Sequence, residues 1–100
     1  MKVRLLPPAR LEFDEALNWY AARRPSLGLE YLAAVDHIID VIAEHPERYP
    51  TWLRQPAYRR AVLTRFPFAV FYRILPDEIE VVAVAHARRD PEYWARRDRR

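Results

Sequence analysis

The chain has 100 residues, 51% of them hydrophobic and 13% aromatic, which predicts a single folded domain over residues 1–100. It has no cysteine, which excludes disulfides and thiolate metal sites, and no apolar run near the ~20 residues that span a bilayer, so a soluble, cytoplasmic protein without a membrane partner is expected. The net charge of +3 is uneven: residues 1–50 carry six basic and eight acidic groups, residues 51–100 eleven arginines and six acidic groups, so the second half is expected to meet any anionic partner.

In chain order, Val3, Leu5 and Leu6 predict a short strand, ended by Pro7-Pro8, which suits a helix start. Phe13, Ala16, Leu17 and Tyr20 recur at i, i+3, i+4, i+7, the stripe of an amphipathic helix that Pro25 limits. Ser26 is placed to cap a second helix, with Leu32, Val35, Ile39 and Ile42 as its inner stripe and Ile38 beside them. Asp36, Asp40 and Glu44 mark its wet face, and Pro46 stops it at about His45. "HPERYPTWLRQP" reads as a proline-rich connection. Three strands then follow, over 58–65, 67–75 and 79–86, rich in β-branched and aromatic residues. Pro76-Asp77-Glu78 is a tight turn that makes the last two an antiparallel hairpin, and the tail from Pro91 is a short helix or a frayed end. The order β-α-α-β-β-β is an α+β arrangement, two antiparallel helices covering one face of an antiparallel sheet and leaving the other face partly free.

Alternation sorts the strand residues. Arg59, Ala61, Leu63 and Arg65 share one face, and Tyr58, Arg60, Val62 and Thr64 the other. Val82, Val84 and His86 lie opposite Val81, Ala83 and Ala85, while "FPFAVFYRI" is apolar on both faces, as in a strand buried on both sides. Polar groups therefore gather at the strand ends. His86 has the chemistry of a general base, or of a histidine making one structural hydrogen bond. Arg59 and Arg60 suit a phosphate or carboxylate, or a solvated edge strand. Arg88 and Arg89 follow the histidine directly, with Asp90 as a partner for one of them. Tyr93 and Trp94 could stack on bases, but large aromatics usually pack, and Trp94 is expected to clamp onto the sheet. His37 and His45, eight residues apart without a carboxylate at ligand spacing, predict no metal site. Gly28 is the one glycine, so a Gly-rich phosphate loop is excluded, and no cofactor is expected.

The stretch "EFDEALNWYAARRPSLGLEYLAAVDHIIDVIAEHPERYP", followed by "YRRAVLTRFPFAVFYRI", "IEVVAVAHARRDPEYW" and Arg96-Arg97, resembles the RelE/ParE superfamily of bacterial toxins, the toxin halves of type II toxin–antitoxin pairs. The resemblance covers nearly the whole chain. It implies two antiparallel helices on a twisted antiparallel sheet, growth inhibition, and neutralisation by a cognate antitoxin. Members similar to RelE cut messenger RNA on the ribosome without a metal, and those similar to ParE poison DNA gyrase. If the chain is a ribonuclease, the resemblance implies His86, Arg60, Arg65 and Tyr93 as its catalytic set. Arg59, Arg60, Arg73, Arg88, Arg89 and Trp94 are the residues expected to bind the protein partner or nucleic acid. RelE-like sequences carry an arginine in the third strand, where this chain has Ala69. That departure favours the gyrase reading over the ribonuclease, with a degenerate, non-toxic antitoxin binder as a further alternative.

Overall fold

The computed structural model of the chain describes residues 1–52, 54–89, 93–95 and 97. β1 (Val3–Leu5) leads into two helices, α1 (Pro7–Arg23) and α2 (Pro25–Glu44). Four strands follow: β2 (Thr51–Trp52), β3 (Gln55–Val62), β4 (Phe68–Ile74) and β5 (Ile79–His86). Among the described residues they form one sheet in the order β1-β5-β4-β3-β2, with both helices on one side.

The α+β class is as expected, with two differences in the sheet. β1 joins β5 in parallel, Val3 opposite Ile79 and Leu5 opposite Val81, so the sheet is mixed rather than wholly antiparallel. Thr51 and Trp52, assigned from sequence to a connection, form a two-residue edge strand against β3. Two residues are too few for an alternation pattern to register, and the prolines around them read as loop. The β4–β5 hairpin is antiparallel as expected, closed by a hydrogen bond from Leu75 N–H to the Glu78 carbonyl (2.8 Å).

Proline sets the helix hairpin. It disfavours helical backbone at the residue before it, and Arg24 is extended at φ −163°, ψ 125°. Arg24 alone therefore separates the helices, its N–H bonded to the Tyr20 carbonyl. Ser26 lies inside α2, where its hydroxyl accepts a bond from Arg24 Nε (2.9 Å), and does not cap the helix. Gly28 permits the close approach that follows, since a Cβ there would meet that of Ala21 at 2.8 Å.

The buried stripe of α2 is Tyr31, Val35, Ile38 and Ile42. Leu32 and Ile39, expected to point inward, are only half-buried. Tyr31 takes the centre of the stripe, its ring 5.7 Å from Phe13, 5.3 Å from Tyr20 and 5.5 Å from Phe66. Asp36, Asp40 and Glu44 are solvated, as expected.

β3 keeps the expected alternation as far as Val62, where it ends short of the expected Arg65: Ala61, and Leu63 just beyond the strand, face the helices, and Tyr58 the second face. β5 does not. Phe71 pairs with Ala83 and Tyr72 with Val81, so Val82 is an extra residue, a β-bulge that flips the alternation. Val81 and Val84 thus both face the helices, while Val82, Ala83 and Ala85 pack on the second face. That second face is less free than the sequence suggested. Trp94 and Ala95 fold back over it and bury Leu6, Tyr58, Ala69 and Phe71 in a second, smaller core.

Candidate functional site at the end of the last strand

The second face divides into three zones along β5. Near Ile79 an ion-pair ladder crosses three strands: Arg4 Nη2 donates to Glu80 Oε2 (2.5 Å), Arg73 Nε to Glu80 Oε1 (3.0 Å), and Arg4 Nε to Glu78 Oε2 (3.0 Å). In the middle sits Trp94, fully buried, with ring centroids 4.4 Å from Phe71 and 5.3 Å from both Tyr58 and Trp52. At the His86 end the face opens into a cleft of about 240 Å³. Ala69 and Ala85, paired across β4 and β5, lie in this cleft, and their small side chains leave it its depth. Trp52, Arg54, Arg60, His86 and Arg89 stand around it.

A larger groove of about 450 Å³ lies on the helix side of the same strand end, between α1 and β5. Trp19, Tyr20, Phe68, Val84 and Tyr93 line it together with His86 and Arg89. His86 therefore stands on the ridge between two depressions.

The exit turn fixes the histidine. Arg89 N–H donates to the His86 carbonyl (3.0 Å), and Arg88 N–H donates to His86 Nδ1 (3.1 Å). With Nδ1 accepting, the neutral ring carries its proton on Nε2. It offers a hydrogen-bond donor to its surroundings, and its free lone pair is spent on the turn.

The structure separates the arginines singled out from sequence. Arg60, Arg88 and Arg89 are exposed, and among the described residues no carboxylate pairs with Arg60, Arg88 or Arg89. Arg59 points the other way, its Nη1 donating to the carbonyls of Glu47 (3.2 Å) and Tyr49 (2.7 Å), which ties down the connection after α2. Arg65 donates to Glu30 on α2 (2.5 Å), and Arg73 holds Glu80 at the far end of the face. Neither Arg65 nor Arg73 is brought to His86. Tyr93 lies beneath Arg89 and Arg97, 4.0 and 5.0 Å from their guanidinium carbons. Burial, and then a hydrogen bond with Glu12, push its phenol above the ordinary value. Trp94, expected among the residues that bind the protein partner or nucleic acid, is fully buried and unavailable to either, because it packs onto the sheet as the clamp that is the other expectation for it. Asp90, expected to pair with Arg88 or Arg89, lies outside the described residues, as does most of the tail from Pro91.

Sequence reasoning missed Glu12. β1 ends at Leu5 because Pro7-Pro8 starts a helix, which leaves the outer edge of β5 without a strand beyond Val81. Glu12 and Arg97 take over that edge. Glu12 Oε1 accepts from Val84 N–H (3.0 Å), Arg97 Nη1 donates to the Val82 carbonyl (3.0 Å), and the two side chains meet in a bidentate pair (2.9 and 3.0 Å). No sequence signal joins residues 85 positions apart. Trp52 was the other omission, and an isolated tryptophan two positions before Arg54 was its only sign.

Residues 3–91 match the family described as the ParE toxin of type II toxin-antitoxin system, parDE. The chain belongs to the ParE toxin family. Among solved structures it is similar to one titled "Chromosomal ParDE TA system from P. aeruginosa", with a TM-score of 0.74 at 17% identity, over 86% of this chain and 95% of that one. At that identity the likeness is one of fold, and it agrees with two helices on a five-stranded sheet. No curated protein sequence matches the chain. This ParE-family chain is thus a type II toxin with an antitoxin as partner, and among the described residues no helix is long and apolar enough to cross a membrane.

Proposed function

We propose that this toxin inhibits DNA gyrase in the cytoplasm and is not a ribonuclease, with the exit turn of β5 as its docking element. The observation that carries the reading is the bond from Arg88 N–H to His86 Nδ1. Attack by a ribose hydroxyl needs a base with an available lone pair, and in this turn His86 presents Nε2–H. The companions a nuclease would need are dispersed: Ala69 stands in place of a third-strand arginine, Arg65 is tied to α2, and Tyr93 is tied to Glu12. Arginine keeps its proton at neutral pH and stabilises charge without relaying protons. Exposed arginines on a hydrogen-bonded turn are instead suited to gripping a protein surface. The antitoxin is proposed to neutralise the toxin with an acidic segment that pairs with Arg88 on the exit turn, outside the lining of the 240 Å³ cleft.

Induced expression in a bacterium tests the reading. The expected result is arrest of growth with an early DNA damage response and intact messenger RNA, reversed by the antitoxin. Messenger RNA cleavage preceding any DNA damage response would refute it.

A further inference from the structure

We propose that the cleft bounded by Trp52, Arg60 and Arg89 binds the phosphodiester backbone of a single-stranded nucleic acid. Three observations converge on it. First, Arg60 and Arg89 approach the cleft from different elements, β3 and the exit turn, and no described carboxylate pairs with either, whereas Arg4, Arg10, Arg24, Arg65, Arg73 and Arg97 are each matched with an acid. Second, Ala69 and Ala85 make a depression of about 240 Å³, below the ~300 Å³ at which pockets for drug-sized ligands begin and suited to one phosphate with part of its sugar. With Nδ1 accepting from the turn, His86 leaves an Nε2–H donor at the same place. Third, Trp52 is half-buried at the edge of the cleft, braced by Phe71 and Trp94, with the Arg54 guanidinium 5.7 Å from its ring centroid, which puts an aromatic ring and a further cation beside the bound phosphate.

An acidic peptide is the competing occupant, and the geometry disfavours it. Extended peptides gain affinity by adding to a strand edge. This cleft opens on the face of the sheet, where the backbones of β3, β4 and β5 are already bonded to one another in the plane. Only side chains are on offer, and guanidinium forks suit phosphate oxygens. The proposal deepens the gyrase reading, since a gyrase stalled on DNA holds a phosphodiester strand beside the toxin. The binding itself is a property of the toxin alone.

Fluorescence anisotropy of labelled oligothymidylate and oligouridylate, without gyrase or ribosomes, tests it. Wild-type protein should bind at low salt, with affinity falling as salt rises. Arg60→Ala and Arg89→Ala should each weaken binding about tenfold or more and lower the salt slope by about 0.7. Arg10→Ala, on the far side of the molecule and paired with Asp14, should change neither, and circular dichroism should show all variants folded. Tighter binding of the deoxy or the ribo strand would identify DNA or RNA as the source, and either supports the proposal. Equal binding by wild type, Arg60→Ala and Arg89→Ala would overturn it. So would displacement of the oligonucleotide by polyglutamate as effective as by unlabelled strand, which would mark an acidic-peptide site. Loss of gyrase inhibition with oligonucleotide binding intact would bear on the gyrase reading alone.

Discussion

At the scale of single residues, Trp94 does for the second face what a helix does for the first. It is fully buried against Phe71, Tyr58 and Trp52, yet its Nε1 has no hydrogen-bond partner among the described residues. Its contribution is therefore packing alone. Trp94→Ala should destabilise the protein by about 3–5 kcal/mol. Trp94→Phe, which gives up an indole N–H with no partner among the described residues, should cost markedly less. Urea unfolding of both variants checks this, and equal losses would show that the indole makes a polar contact worth more than its area. His86 shows how far a residue's role escapes its letter. The sequence places an imidazole at the end of a strand and leaves base and structural acceptor as equal readings. The following turn aims Arg88 N–H at Nδ1, a contact that the letter alone does not announce and on which the proposed gyrase reading rests.

At the scale of elements, the helices were legible because Pro7-Pro8, Pro25 and Pro46 bound them and their apolar spacing is helical. Their facing was less so. Both Ile38 and Ile39 are apolar, and the choice between them depends on Tyr31, which fills the space between α1, α2 and the sheet. Ile38→Ala should cost about 2–5 kcal/mol and Ile39→Ala less, read from their melting temperatures; the reverse order would place α2 in the wrong rotation. Alternation sorted β3 correctly and failed in β5, because the bulge at Val82 inserts a residue that no periodicity announces. The exposed edge of β5 is the clearest case of structure that sequence could not supply. Its backbone partners at Val82 and Val84 are side chains from α1 and the tail. Glu12→Gln keeps an acceptor for Val84 N–H but removes the charge that holds Arg97 in two places. It should lower stability by about 1–3 kcal/mol and speed hydrogen exchange at Val84 more than at Val70. Unchanged exchange at Val84 would mean that the carboxylate does not guard this edge.

At the scale of the whole molecule, the positive second half is spent unevenly. Arg59, Arg65, Arg73 and Arg97 bond to other parts of the fold, and Arg60, Arg88 and Arg89 are exposed, with no carboxylate paired to them among the described residues. A different reserve of the fold lies in its tyrosines. Burial pushes the Tyr72 hydroxyl, which donates to the Pro46 carbonyl (2.6 Å), up to about 12, and raises those of Tyr31 and Tyr93 as well. These phenols keep their protons to higher pH when folded than when unfolded. Their contribution is complete below about pH 10, the unfolded value, and is lost as pH rises towards the folded one. The melting temperature should therefore hold from pH 7 to about 9 and fall steeply between about pH 10 and 12, with Tyr31, Tyr72 and Tyr93 losing their ring protons, followed by NMR residue by residue, in step with unfolding. Ionisation of these three rings in the folded protein near pH 10 would contradict this. The central claim, a toxin that grips gyrase through the β5 exit turn without cutting RNA, is tested most directly by supercoiling of relaxed plasmid by purified gyrase. Wild type and His86→Ala should inhibit to a similar degree, while Arg88→Ala and Arg89→Ala should each weaken inhibition about tenfold or more. An uninhibited gyrase, together with codon-dependent cleavage on programmed ribosomes that His86→Ala abolishes, would contradict the account.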